Sequence, residues 1–356
     1  MKFIINPPEF YPYLPDNSFG CHVPFSKIEI HTDGHITLCC AEFMPAAAGN
    51  ILTDTVDEIL ENVTRTAVLE NMLAGEFSHC NDKCPALATY LTTNKKRYIL
   101  KPIEVLRELA KKKIFTIVLT YDRSCNLQCP SCRNNLILYK LTDLSPDAVR
   151  VAAIHAKAVA LITALKDRGY DILLNITGSG DPFASPLFWN YLQELSTQQL
   201  PDNFRIHLST NGILMTKYSW EKIRPLLKHI DMISVSIDAA KEDTYNKIRK
   251  NGNFSRLKSN LNIVDDMAIN REFGSNFKCN TNYVVQSGNY QEIKEYAAWM
   301  LSYKSMSSIV FSLVENWRHW SADEFEQMRN MPGLSAIITD PIFNNPRIFL
   351  GIVSSF

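Results

Sequence analysis

Cys125, Cys129 and Cys132 form a CxxxCxxC triplet directly after the β-rich run Ile114–Thr120. Three thiolates can hold three irons of a [4Fe–4S] cube and leave the fourth iron open, whereas a purely electron-carrying cluster normally takes four cysteines. The missing ligand points to chemistry at the cluster rather than electron transfer alone. A second constellation lies upstream. Cys21 precedes an Asp33-Gly34 turn that leads into Cys39 and Cys40, and Cys80 and Cys84 follow four residues apart. Four thiolates from a loop, a hairpin and a CxxxC turn can saturate one [4Fe–4S] cluster. The same four can also bind zinc, and cysteine spacing does not separate the two. Strand alternation would turn Cys40 to the face opposite Cys39. His22, His31, His35 and His79 stand nearby and read as surface or hairpin residues.

The remaining composition narrows the setting. The 356 residues carry 37 Lys and Arg against 37 Asp and Glu. That balance removes the electrostatic reason to expect a nucleic-acid partner. No uninterrupted apolar run reaches the roughly 18 residues of a membrane span. The opening segment Met1–Pro8 breaks at Pro7 and does not read as a signal peptide. A reducing cytosol is the expected compartment, and there clustered cysteines read as metal ligands rather than disulfides.

The elements that must position these groups alternate. Strands are expected at Ile114–Thr120, Ile172–Thr177, Phe204–Ser209, Met232–Ile237, Phe277–Val285 and Ser308–Leu313. Helical spacing of apolar residues marks Pro146–Lys166, Phe188–Leu195, Trp220–Leu227, Phe254–Met267 and Tyr290–Leu301. Ser145 suits an N-cap with Pro146 in the first turn, and Thr55 with Glu58 suits a capping box. Such alternation implies an α/β fold with a parallel sheet and right-handed crossovers, either a (β/α) barrel or a doubly wound sheet. In both, function gathers at the C-terminal ends of the strands. Those ends carry the cysteine triplet, Thr177–Pro182 (TGSGDP), Ser209–Gly212 (STNG) and Ser234–Asp238 (SVSID).

Motif, order and spacing over residues 112–315 resemble the radical S-adenosylmethionine (SAM) superfamily, whose fold is a partial (β/α)6 TIM-like barrel. The resemblance implies that Cys125, Cys129 and Cys132 ligate the cluster, with SAM on the open iron. It implies that Gly178, Ser179, Gly180 and Asp181 contact the SAM amino group, with Asp at a position that is usually Glu. It further gives Ser209, Asn211, Ser236 and Asp238 to the SAM ribose and carboxylate. Arg249 is either a partner for that carboxylate or a solvated helix-end arginine. Ser131 stands where the family often has an aromatic near the adenine. The chemistry implied is one-electron cleavage of SAM to methionine and a 5′-deoxyadenosyl radical, which abstracts hydrogen from a substrate C–H bond. A reductant such as flavodoxin or ferredoxin would supply the electron.

The upstream cysteines resemble the SPASM/twitch auxiliary-cluster module, here unusually placed before the barrel. Gly34 and Cys39 match its hairpin element, and Gly49-Asn50-Ile51 matches the segment before its helix. The expected domains are thus an auxiliary module at 1–100, a linker at 101–113, the barrel at 114–315 and a tail at 316–356 that packs on it. Cys279, on the fifth expected strand, is either a structural thiol or a hydrogen-atom donor to a substrate radical. If Asn280 and Asn282 face the barrel interior, the donor role fails, because neighbours along a strand point oppositely. Three functional classes remain open. The first is a radical SAM enzyme acting on a peptide or protein, or on a sugar or other small metabolite as an oxidoreductase or epimerase. The others are a non-enzymatic iron–sulfur electron carrier and a zinc-stabilised binding protein.

Overall fold

A computed structural model describes residues 18–81, 84, 86–87, 99–176, 178–316 and 320–351. The opening segment Met1–Pro8, Thr177 of the glycine-rich turn and Trp317–His319 of the tail lie outside the described residues. The chain divides into two compact units: residues 1–121 with 145–174, and residues 122–144 with 175–356.

In the first unit, β1 (Phe19–Cys21) pairs antiparallel with β5 (Leu100–Pro102). β2 (Lys27–Ile30), β3 (His35–Thr37) and β4 (Ala47–Asn50) run antiparallel in sequence, joined first by the turn in which Gly34 takes φ 85°. That left-handed backbone is open to glycine at no steric cost. β6 (Ile114–Leu119) lies parallel to β2 over four residues, from Lys27↔Thr116 to Ile30↔Leu119. The N-terminal cysteine region therefore shares a sheet with the first barrel strand and is not set apart by a linker. Residues 103–110, expected to belong to that linker, form a helix with Ile103 and Leu106 buried. Thr55 caps the helix Val56–Leu60 through a complete capping box with Glu58.

The helix Pro146–Asp167 begins at Ser145, whose side chain accepts from the Ala148 amide. It has the length and mean hydropathy (1.6) of a membrane-spanning helix, although Arg150, His155 and Lys157 interrupt its apolar run. Its stripe of Val151, Ile154, Ala158, Leu161 and Leu165 is buried in the first unit, as in a core helix.

β7 (Asp171–Ile176) leads from the first unit into the second. There β8 (Phe204–Thr210), β9 (Ile230–Ser236), β10 (Lys278–Val285), β11 (Met306–Leu313) and β12 (Ile348–Leu350) follow side by side, all parallel. Helices Pro186–Ser196, Lys217–Lys222, Glu242–Ile248, Phe254–Ile269 and Ile293–Leu301 separate them. With β6 and β7 these make seven successive strands, of which β6 to β11 are each followed by a helix, the partial (β/α)6 order. Alternation divides the strands of the second unit into two faces. Ile206, Leu208, Ile233, Val235, Tyr283, Ile309 and Phe311 are buried. Tyr283, Tyr296 and Phe311 meet there, with ring centroids 4.6–5.9 Å apart. The tail is not irregular throughout: it contributes the helix Ala322–Arg329 and β12, and its Phe343 packs edge-on against Phe311.

Candidate active site

The cysteine triplet is held by its neighbours in the second unit rather than by regular structure. Asp122, fully buried, accepts from the Ser124 amide at 2.8 Å and from the Ser185 hydroxyl. The Cys125 amide donates to the Ile137 carbonyl at 2.8 Å, and the Gln128 amide to the Lys250 carbonyl at 3.0 Å. A turn closes from Cys132 N–H to the Cys129 carbonyl at 2.9 Å. Cys125 and Cys129 are buried, while Cys132 is exposed.

Each of the three sulfurs faces an N–H donor. Cys125 Sγ takes the Leu127 amide at 3.4 Å and Asn211 Nδ2 at 3.6 Å. Arg249 Nη1 lies 3.6 Å from Cys129 Sγ, and Arg133 Nη2 lies 3.6 Å from Cys132 Sγ. Burial pushes the Cys125 thiol up to about 11, and Asp181 adds to the shift. Burial raises Cys129 as well, against the lowering pull of Arg249. Two guanidinium groups turned onto sulfur suit thiolates that carry negative charge in an iron cluster, and hydrogen bonds to sulfur tune such a cluster's potential. The donor set fits the group.

Arg133 has no counterpart in the sequence reading. Its fork also donates to the Arg123 carbonyl at 2.6 Å and the Ser179 carbonyl at 2.7 Å, tying the cysteine loop to the glycine-rich turn. That turn sits hard against the loop. A Cβ on Gly180 would fall 2.6 Å from the carbonyl oxygens of both Asp122 and Ser124. Gly180→Ala is expected to destabilise by about 1–3 kcal/mol through overpacking and to weaken SAM binding. Thermal melts and equilibrium dialysis of SAM would register both.

Several expected site residues have other work. The Asp181 carboxylate, expected to meet the SAM amino group, is turned inward. One oxygen accepts from the Phe183 and Ala184 amides, and the other from the Thr210 hydroxyl and the Asn211 amide. Four donors saturate it, leaving no free oxygen to accept from a ligand. Asp238, in a left-handed backbone at φ 64°, pairs with Arg249 at 2.7 Å and accepts from the Val284 amide. Arg249 is accordingly a paired group with its side chain 11% exposed and not a solvated helix end, and its buried Nε has no protein partner. Asn211 is buried beside Cys125, bonded to Asn126. Ser209 and Ser236 lie half-buried on the face opposite the apolar one.

Cys279 is excluded from that open face. It shares the buried side of β10 with Thr281, Tyr283 and Val285, is 1% exposed, and is pushed up to about 12 by burial. Asn280 and Asn282 take the half-exposed side. The hydrogen-donor expectation fails on strand alternation.

In the first unit, Cys21, Cys39, Cys40, Cys80 and Cys84 line one cavity of about 280 Å³, with Phe43, Met44, Phe77 and Leu87 among its apolar walls. Cys40 is not turned away, because β3 ends at Thr37 and strand alternation does not extend to it. Burial pushes Cys21 up to about 12, with Cys39 and Cys84 adding to it, and Cys39 up to about 11, with Cys40 and Cys84 adding to it. Cys80 is raised well above the usual thiol range by burial and by Cys21, Cys84 and Cys39. Cys40 is raised by burial and answers otherwise to Glu42, Glu29 and Lys27. Among the described residues no three His, Cys, Asp or Glu side chains gather around one ion position. His22, His31 and His35 bond Ile99, Thr37 and Asp33.

A model of the radical SAM superfamily matches residues 119–300, just over half of the chain. This chain belongs to the radical SAM superfamily. A model of the SPASM iron–sulfur cluster-binding domain matches residues 21–85, spanning Cys21, Cys39, Cys80 and Cys84. SPASM thus precedes the radical SAM region, in the order expected from the sequence. The cofactors are a [4Fe–4S] cluster with SAM, and auxiliary iron–sulfur binding in the SPASM region. Among curated proteins, GTP 3′,8-cyclase of Petrotoga mobilis is 29% identical over 97 residues, 27% of this chain and 28% of that protein. Among solved structures, the radical SAM methyltransferase TsrM from Kitasatospora setae, with cobalamin and a [4Fe–4S] cluster bound, aligns at TM-score 0.38 and 12% identity. That alignment covers 56% of this chain and 36% of TsrM. The chain therefore spans well under half of either protein.

Proposed function

We propose that this radical SAM chain cleaves SAM reductively and uses the resulting radical to abstract hydrogen from a substrate held on the open face of its second unit. The observation that carries the reading is the triplet Cys125, Cys129 and Cys132 with an N–H donor at every sulfur, beside the turn Gly178–Gly180, of which Gly178 is exposed. When bound, the reduced cluster supplies the electron that splits SAM into methionine and a 5′-deoxyadenosyl radical. The chain's own residues do the rest. Arg249 and Arg133 offset the charge of the thiolates, and Asn211 and Asp238 brace the loop. Cys21, Cys39, Cys80 and Cys84 hold one auxiliary four-iron cluster in residues 1–100, which relays an electron or shapes the substrate pocket. Residues 114–315 form the radical domain. An external one-electron donor of the flavodoxin or ferredoxin kind, in a reducing cytoplasm, completes the system.

Anaerobic reconstitution tests this. About eight irons per chain are expected for two four-iron clusters, with 5′-deoxyadenosine formed when reductant and SAM are added. Four irons and no cleavage of SAM by fully reduced protein would leave the electron-carrier reading in its place.

A further inference from the structure

The strand face opposite the apolar core carries an ordered pattern. Ser209 pairs in register with Ser234, Ser234 with Asn280, and Asn280 with Ser308. Neighbouring strands lie about 4.8 Å apart, so these short polar side chains form one lateral row across β8 to β11. The row starts at Ser209, expected to serve SAM, and runs away from the cofactor motifs. One step toward the C-terminal strand ends, Asn282 is in register with Val310, and Val310 with Phe349 of β12. Phe349 is 53% exposed, a large aromatic left open at the end of the second row.

Charge is distributed unevenly over this face. Arg205, Asp231 and Lys278 stand at the N-terminal ends of β8, β9 and β10, and Arg205 pairs with Asp231 at 3.7 Å. From Ser234, Asn280 and Ser308 to the C-terminal strand ends, the described residues of this face include no charged side chain. Just past those ends Asp238 is paired with Arg249, and Glu315, two residues beyond β11, is exposed and negative. The face nevertheless has unmet hydrogen-bonding capacity. Asn280 turns its amide nitrogen to the Met232 sulfur at 3.2 Å, and its amide oxygen is buried with no partner. The Asn175 amide oxygen near the end of β7 is buried and unpartnered in the same way. A buried acceptor without a donor costs about 1–3 kcal/mol, and a ligand hydroxyl or N–H would relieve it.

We propose that this face is the substrate floor and that it takes a neutral, polyhydroxylated ring molecule of sugar or nucleoside type. Hydroxyl groups both donate and accept, so they serve Asn280 Oδ1 and the serine hydroxyls together. The C–H face of a sugar ring, or a nucleobase, suits the open Phe349 ring. A phosphorylated or carboxylate substrate would sit on this floor without a counter-charge. An extended peptide would leave the polar row to backbone amides and gain nothing from Phe349. The assignment rests on the radical SAM reading above, because the open face is taken as the place where the radical meets its substrate.

The test is equilibrium binding to reconstituted, SAM-loaded protein, read by saturation-transfer NMR, with SAM cleavage measured on the same wild-type sample. The probes are maltose, uridine, glucose 6-phosphate, glutamate and a blocked neutral tripeptide. Maltose or uridine is expected to bind at least about tenfold more tightly than the other three, the equivalent of about 1.4 kcal/mol. Maltose ahead of uridine assigns a glycoside, and the reverse order a nucleoside. Asn280→Leu and Phe349→Ala, each with an unchanged melting curve, are each expected to weaken that binding about tenfold. Binding of neither neutral probe, a charged probe or the tripeptide binding as well as they do, or folded Asn280→Leu binding like wild type would overturn the proposal. Should wild type bind the neutral probes yet leave SAM intact, the floor stands and the radical reading fails. Should it cleave SAM and bind neither, the floor alone is wrong.

Discussion

Arg249→Met is expected to destabilise the protein by about 3–5 kcal/mol, the usual consequence of stripping one partner from a buried ion pair. Asp238 is 2% exposed, and its remaining contact would be the Val284 amide, too little to hold a full negative charge away from water. Asp238→Asn is expected to cost less, because the amide oxygen keeps the Val284 bond and Arg249 keeps a sulfur to face. The double variant Arg249→Met, Asp238→Asn should recover much of the loss, since no isolated charge remains and the two sites touch. Cluster chemistry should not recover with it, because Cys129 has lost its Nη1 donor. Denaturant melts of the four proteins, paired with the cluster's reduction potential, separate the two roles. Arg249 would be only structural if the double variant regained both stability and potential.

The elements around this pair were legible from sequence to different degrees. Helix Phe254–Ile269 and strands β8 to β11 came from period alone, because each buries one face against a continuous core. Ser145 and Thr55 were readable as caps because capping is decided within four residues. The cysteines stood out because their chemistry depends on residue type and spacing. What was hidden depended on distant partners. Nothing local distinguishes Arg133 from any arginine after a turn; its role comes from carbonyls at Arg123 and Ser179. The pairing of β2 with β6 joins residues nearly ninety positions apart, and loop closure of that kind leaves no local trace. Arg249 was ambiguous because a helix-end arginine looks the same in sequence whether it meets water or Asp238. Cys40 was misjudged because strand alternation was carried three residues past the point where the ladder ends.

Asp181→Ala is expected to have a comparable effect at the cofactor turn, about 3 kcal/mol or more, by orphaning several buried donors at once. The carboxylate joins two pieces of chain: Phe183 and Ala184 within its own turn, and Thr210 and Asn211 at the end of β8. Its amide meanwhile donates to the Ser124 carbonyl at 2.8 Å beside Cys125. Burial raises the carboxyl above its usual range, against the lowering pull of those four donors, so the site depends on every one of them. Asp181→Asn keeps the volume but sets an NH2 group against at least one N–H, and is expected to lose about 1–3 kcal/mol. Asp181→Glu keeps the charge but adds a methylene in a fully buried site, so it should not restore the wild-type melt. Because Asn211 reaches Cys125 Sγ, both Ala and Asn variants should also lower iron retention at the triplet. Chemical denaturation with iron counts on the folded fraction checks this. Wild-type stability in Asp181→Asn with SAM binding lost would instead return Asp181 to direct contact with the SAM amino group.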